Sequence, residues 1–279
     1  MTAVALVTGT SSGIGLQAAV HLAQAGFTVV ATMRNTSKSG ALLEEARRAG
    51  VAIDVRALDV QDPSSIAACV NEVLAAHGHI DVLVNNAGSG FLGTLEDTSV
   101  AQLTDVMDVN FFGVWRVTAA VFPHMREARR GRIIAVSSVG GLIGQPFNDA
   151  YCAAKFAVEG MMESLAPVAS RLGVHVSLIE PGPVNTEFVT TVLGKSAVSA
   201  AAADPYAAMR ESYLRGTEQA FAAVGQSGAD VACVIVEAAT AEQPHLRYAT
   251  SDLARSIVAR KYVDPTGDSV LALNGARLG

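Results

Sequence analysis

Only three cysteines, Cys69, Cys152 and Cys233, occur among 279 residues, at unrelated spacings and with no Cys-x-x-Cys pair or matching histidines. So scattered a set supports neither a disulfide framework nor a thiolate zinc site, and no metal is expected. Cys152 adjoins Tyr151, but consecutive side chains on a helix point about 100 degrees apart, so its thiol reads as a buried apolar group rather than a nucleophile. Charge is also scarce: Asp, Glu, Lys and Arg make up 16% of the chain and the balance is -6. No basic stripe able to track a phosphate backbone is present, because Glu127 interrupts Arg126, Arg129, Arg130 and Arg132. Nucleic acid is therefore not an expected partner. No apolar window of ~18 residues offers a membrane span. The opening Met1 to Thr8 lacks a basic region before its short apolar run and reads as a strand rather than a signal peptide, so a soluble cytoplasmic protein is expected. What the chain does have is a 50% hydrophobic content, enough for a large core in one α/β domain with a modest appendage.

Residues 3 to 8 are apolar without alternation, as in a strand covered on both faces of a parallel sheet. They run into Gly9-Thr10-Ser11-Ser12-Gly13-Ile14-Gly15, and helical spacing follows from Leu16 to Ala25. Strand, glycine turn and helix form the context of a dinucleotide fingerprint. Gly9 permits the tight turn, Gly13 the approach of a pyrophosphate to the helix N-terminus, and Gly15 close packing. The spacing is Gly-x-x-x-Gly-x-Gly, and an ordinary structural turn is an equal alternative on this stretch alone. A second strand, 27 to 33, ends at Arg34, where an NAD site usually offers a carboxylate. Arginine there, with Ser12 near it, suits a 2'-phosphate, so NADP(H) is the expected cofactor.

Strand 52 to 58 leads to Asp59 and Val60 at the expected adenine edge. Strand 81 to 84 leads to Asn86, Ala87 and Gly88, whose small side chains allow a close backbone approach. Helical segments over 99 to 128 carry Asn110 at their junction. Alternation of strands with long helices predicts a doubly wound parallel sheet, with ligands at the carboxyl ends of the strands.

The strand 131 to 137 feeds a Gly-rich loop with Ser138, followed by a helix that carries Tyr151 and Lys155 four residues apart, on one face. A phenol titrates near ~10 and needs a neighbouring cation to work at neutral pH, and Lys155 is placed to be that cation. Read alone, Tyr-x-x-x-Lys is more often an ordinary exposed helix pair. Pro167, inside the same helix, is expected to kink or shorten its last turns. Strand 174 to 180 runs into Pro181, Gly182, Val184 and Thr186.

In order and spacing this set resembles the short-chain dehydrogenase/reductase family over residues 3 to 188: Thr8-Gly9-x-x-x-Gly13-Ile14-Gly15, Asn85-Asn86-Ala87-Gly88, Asn110, Ser138, Tyr151-x-x-x-Lys155 and Pro181-Gly182-Pro183-Val184-x-Thr186. The wording Ala31-Thr-Met-Arg34 and Leu246-Arg-Tyr-Ala-Thr250 is similar to the 17-beta-hydroxysteroid and retinol dehydrogenase branch. The resemblance implies a Rossmann-like fold with Tyr151 as the acid or base, Ser138 as donor to the substrate oxygen, and Lys155 on the nicotinamide ribose. It also implies Asn110 as holder of a water, and Val184 and Thr186 at the carboxamide. A lid is implied over about 187 to 224, in which Phe188, Val189, Val192 and Leu193 suit a lipophilic substrate or, equally, the anchoring of a helix. Tyr206, Met209, Tyr213 and Leu214 are candidates for a far pocket wall, although Met and Tyr at helical spacing are more often core. A homodimer or homotetramer through helices around 100 to 125 and 151 to 170 is implied too. Residues 252 to 279 read as an extension with a short helix. The expected activity is NADP(H)-dependent interconversion of an alcohol and a carbonyl on a hydrophobic small molecule. A catalytically silent NADP-binding regulator, or an NAD-dependent enzyme, would be the alternatives.

Overall fold

The computed structural model describes residues 2–187 and 204–278. Its strands are β1 (Val4–Thr8), β2 (Thr28–Met33), β3 (Asp54–Ala57), β4 (Val82–Asn85), β5 (Gly131–Val136), β6 (Val174–Glu180) and β7 (Arg247–Ala249). They form one sheet in the order β3-β2-β1-β4-β5-β6-β7, with every pairing parallel. The expected doubly wound arrangement is therefore present, and the order reverses between β1 and β4. A crevice opens at such a reversal because the connections leave the two strand ends in opposite directions.

The helices that separate the strands are α1 (Gly13–Gln24), α2 (Gly40–Arg48), α3 (Pro63–His77), α4 (Val100–Met107), α5 (Gly113–Ala128) and α6 (Asp149–Arg171). After β6 come α7 (Ala207–Val224) and α8 (Gly228–Thr240), and α9 (Asp252–Val263) and α10 (Asp268–Gly275) follow β7. Side chains alternate across the strands, so each face of the sheet builds its own apolar core. Val4 and Leu6 pack with Val117 and Val121 of α5 and Val158 and Met162 of α6. Ala5 and Val7 pack with Leu22 of α1 and Val231 and Ile235 of α8. Gly228 makes the α1–α8 approach possible, since a Cβ there would lie 3.2 Å from the Gly13 carbonyl oxygen.

Two expectations need correction. Of the two effects expected of Pro167, a kink or a shortening, the shortening is absent, because the helix continues to Arg171. Its missing N–H would have bonded the carbonyl of Glu163, and both residues are exposed, so solvent can satisfy that oxygen where a buried helix face could not. The C-terminal extension holds two helices rather than one short helix. No helix among the described residues is long and apolar enough to cross a membrane.

Candidate active site

At the end of β1 the backbone enters the left-handed region at Gly9 (φ 72°) and Gly13 (φ 58°), which side chains other than glycine's resist. Space reinforces this requirement. A Cβ on Gly9 would lie 2.7 Å from Ala87 Cα, and one on Gly15 would lie 2.3 Å from both the Gly9 carbonyl oxygen and Asn86 Nδ2. The ends of β1 and β4 are laced together. The hydroxyl of Thr8 accepts the N–H groups of Asn86 and Ala87, each at 3.0 Å, and Asn86 Nδ2 donates to the carbonyls of Thr8 (2.9 Å) and Gly9 (3.0 Å). Asn86, expected to touch a cofactor, thus spends its amide on the glycine turn. Thr10 anchors the turn to β2, its N–H and hydroxyl both donating to the Thr32 carbonyl.

Helix α1 starts with Ser12 as an extended cap whose hydroxyl makes no capping bond, and its first turn holds no acidic residue. Free amides at the positive end of a helix dipole, with no carboxylate to compete, fit an anionic group such as a pyrophosphate. Exposed Arg34 stands at the mouth beyond β2 with no ion-pair partner among the described residues. Asp59 accepts the N–H of Gln61 at 3.0 Å. The side-chain amide of Gln61 donates to Asp108 at 2.9 Å, and Arg116 meets Asp108 at 2.6 Å. Val60 closes against Gly113, whose Cβ would lie 2.9 Å from Val60 Cγ2.

Helices α4 and α5 are joined without a break by a π-helical turn, Asp108–Phe112. It delivers Asn110, fully buried, onto the loop after β4. The Asn110 side chain accepts the Ser89 N–H (3.1 Å) and donates to the carbonyls of Ser89 (2.8 Å) and Val106 (2.9 Å). With its side chain so engaged, Asn110 clamps the loop after β4.

Ser138 follows β5, and its hydroxyl accepts the Gly140 N–H at 3.0 Å. The same hydroxyl hydrogen-bonds the Tyr151 phenol, which pulls that phenol's pKa down, but burial wins and leaves it pushed up to about 12. Lys155 is 5% exposed, donates to the Val136 carbonyl at 2.9 Å, and places Nζ 5.8 Å from the centre of the Tyr151 ring. Burial pulls Lys155 down to about 8, and only the charge of Glu159 opposes that fall. In this structure the Lys155 ammonium is directed at a backbone carbonyl, and desolvation of the phenol dominates its pKa. Cys152 is buried and its thiol is raised to about 11, in keeping with an inert packing role.

The loop after β6 is held by residues that sequence reasoning had not singled out. Gln226 N–H donates to Pro183 O (2.9 Å) and Gln226 Nε2 to Thr250 O (2.7 Å), while Asn185 N–H donates to Gln226 O (2.8 Å). Thr186 faces Gly13 across the mouth, where a Cβ would come within 3.3 Å of Thr186 Cβ. All the expected site residues that are described, from Gly9, Ser11 and Ile14 through Asn110 and Ser138 to Pro181, Gly182, Val184 and Thr186, line one cleft of ≈ 2520 Å³. Single-ligand pockets are usually ~300–1,000 Å³, so the cleft has room for a dinucleotide and a second molecule.

Beyond Tyr151 the walls become apolar. Leu92, Phe147 and Tyr213 form a small cluster with Tyr206, Met209, Leu214 and Leu278, of which Leu92, Tyr213 and Leu214 line the cleft. Asn148, at the start of α6, donates to the Tyr213 hydroxyl at 2.9 Å. The C-terminal extension completes this end. The guanidinium of Arg277 lies 4.4 Å from the centre of the Tyr213 ring, Asn274 donates to the Gly144 carbonyl at 2.7 Å, and Leu273 and Arg277 line the cleft. Phe188, Val189, Val192 and Leu193, and the lid expected beyond residue 187 as far as 203, lie outside the described residues.

A parallel sheet with a glycine turn at its switch point and a Ser–Tyr–Lys group across the same cleft defines a nucleotide-dependent oxidoreductase. The chain belongs to the short chain dehydrogenase family, whose model matches residues 3–196. It is 44% identical to retinol dehydrogenase 8 of Bos taurus over 269 residues, covering 94% of this chain and 86% of that protein. It is 41% identical to 17-beta-hydroxysteroid dehydrogenase type 1 of Homo sapiens over 273 residues, covering 95% and 83%. Among solved structures it is similar to a metagenomic short-chain oxidoreductase in complex with NADP (TM-score 0.69, 30% identity, covering 88% and 96%). A short chain dehydrogenase/reductase from Burkholderia phymatum in complex with NAD gives a TM-score of 0.81 at 25% identity, covering 95% and 94%.

Proposed function

We propose that this protein is an NADP(H)-dependent oxidoreductase that interconverts an alcohol and a carbonyl on a hydrophobic small molecule. The observation that carries this reading is the convergence of Ser138, Tyr151 and Lys155 on the same cleft as the glycine turn. The relatives named for retinol and 17-beta-hydroxysteroid substrates, together with the apolar wall of Leu92, Leu214 and Tyr213, support a retinoid-, steroid- or lipid-like substrate. Arg34, free of an ion pair among the described residues and with no carboxylate at the strand end, supports the phosphorylated cofactor.

The cofactor supplies the hydride, and the chain's own residues manage the oxygen. Ser138 and Tyr151 present two hydroxyls to it, prepositioned for the negative charge that develops there. A phenol held protonated, with its pKa at about 12, is in the form that gives a proton to a carbonyl oxygen. Lys155 sits behind it as the cation that faces the loop of Gly88, where a Cβ would lie 3.8 Å from Nζ. Self-association belongs to the same reading: Phe112 (43% exposed) and Trp115 (55%) at the start of α5, and Val168 (58%) on α6, leave apolar side chains bare on the helices expected to pair.

The test follows NADPH and NADH absorbance against a panel of lipophilic ketones and aldehydes. Turnover with NADPH preferred at least tenfold is expected, and Arg34→Asp should shift that preference toward NADH. No turnover on any carbonyl or alcohol would leave a nucleotide-binding regulator, and an unmoved cofactor ratio would remove Arg34 from phosphate recognition.

A further inference from the structure

Behind the Ser–Tyr–Lys group lies a set of buried charges that the reaction as described does not use. Glu159 stands one turn after Lys155 on α6, so both side chains leave the same helix face. Glu180 ends β6, immediately before Pro181. The two glutamates are 4% and 1% exposed. One guanidinium nitrogen, Nε of Arg247 on β7, lies 3.2 Å from Glu159 Oε2 and 3.2 Å from Glu180 Oε1, while Arg247 Nη2 turns outward to the exposed Glu163 at 2.7 Å. The Ser137 hydroxyl hydrogen-bonds the Glu159 carboxylate and lowers its pKa, while Glu180 Oε1 has the Arg247 Nε contact alone among the described residues. Two buried carboxylates thus share one cation. Like charges in that position oppose each other's ionisation, and burial of both carboxylates favours a protonated form. As a stabilising device this would be poor, because replacing buried ion clusters by apolar groups is often neutral or favourable.

We propose that Glu159 and Glu180 are positioning residues that act through Lys155: clamped by Arg247, the pair holds one proton and, on releasing it, delivers the negative charge that keeps the Lys155 ammonium protonated. This rests on the acid-base reading of Tyr151 and Lys155 given above. The titratable groups around the pair are Lys155, Glu163, Arg247, Lys261 and Tyr262. Burial, followed by the charge of Glu159, raises Glu180 to about 7, just below the point near 8 to which burial has brought Lys155. As pH rises, Glu180 therefore gives up its proton before Lys155 would lose its own. The pair's added negative charge reaches Lys155 through Glu159, whose charge opposes that second loss.

The chain has four lysines, Lys38, Lys155, Lys195 and Lys261, so lysine ε-13C labelling of the whole protein gives few enough NMR signals to titrate Lys155 directly, with Lys155→Arg for assignment. Glu159→Gln should lower the proton affinity of Lys155 about tenfold and Glu180→Gln about threefold, with the other lysines as controls for the fold. Unmoved Lys155 midpoints in both variants would overturn the proposal. If either variant does not fold, glutamate δ-13C labelling of the unmutated protein decides: one carboxyl titrating near neutral pH supports the shared proton, and all carboxyls titrating in the ordinary acidic range overturn it. In turnover, Glu180→Gln should move the alkaline limb of kcat/KM to lower pH. A uniformly lower rate with an unmoved limb would mark a purely structural role and also overturn it. The NMR readings need no turnover, so a failure of the Tyr151 acid-base reading and a failure of this proposal are separate results.

Discussion

The two ends of the cleft are built on opposite principles. At the nucleotide end the backbone does the work: Gly9 and Gly13 take positive φ, Gly15 has no room for a Cβ, and Thr8 and Asn86 lace two strand ends together. At the reaction end side chains do the work, and burial acts against them, pushing Tyr151 up to about 12 and pulling Lys155 down to about 8. The first end is rigid because nothing but glycine fits. The second is tunable, because each ionisable group reports the charge and solvent access of its neighbours.

Separating the ends by mutation sharpens this contrast. The largest effect is expected from Tyr151→Phe, which removes the proposed proton donor and leaves the ring. Turnover should fall about 10²–10⁴-fold, the usual range for a general acid, while the NADPH Kd from fluorescence titration stays within about threefold. Substantial turnover in the variant would remove Tyr151 from its role. A smaller and opposite effect is expected from Gly15→Ala. Its Cβ would meet the Gly9 carbonyl oxygen and Asn86 Nδ2 at 2.3 Å, and a backbone oxygen cannot swing aside as a side chain can. The NADPH Kd should rise about tenfold or more, equal to about 1.4 kcal/mol. A Kd unchanged from wild type would show that the turn is adaptable and would break the distinction drawn here.

The same contrast explains what could be read from the sequence. Where only one residue type fits, the requirement is written as letters at fixed spacing, and so the glycine turn, Asn86, Asn110, Ser138, Tyr151 and Lys155 were all legible and fall in one cleft. Burial has no such spelling. The separation of Tyr151 and Lys155 is visible along a helix, yet the desolvation that sets their pKa values depends on β5 and on the packing around them. Arg247 reaches Glu159 across 88 residues of chain, and its strand β7 is three residues long, too short to show a hydrophobic period. Helix α8 was missed although Ser227 and Asp230 form a capping box at its start, a signal that a search for Ser-x-x-Asp ahead of an apolar run would find.

The smallest expected effect tests whether the reaction end sacrifices stability for its tuning. Glu180 is raised from 4.5 to about 7 in the folded protein, so between those values the native state binds more protons than the unfolded chain, and stability declines as pH climbs through that window. Above about 7 the carboxylate is ionised in both states, and its burial is a net cost that the Arg247 charge only partly offsets. Lys155 runs the other way: with its pKa lowered from 10.5 to about 8, its cost is present below about 8 and is relieved only as pH rises toward 10.5. The two windows leave the protein least favoured by these groups between about 7 and 8. Glu180→Gln removes the first cost and not the second. Its Tm should therefore match wild type well below pH 4.5, where Glu180 is protonated in both states, and exceed it by roughly 2–4 °C at pH 8, the size of about 1 kcal/mol in a chain of this length. Calorimetry at the two pH values checks this. A variant that melts lower than wild type at pH 8 would mean that the Arg247 ion pair outweighs the desolvation of Glu180, and the reaction end would then be as much a structural element as the glycine turn.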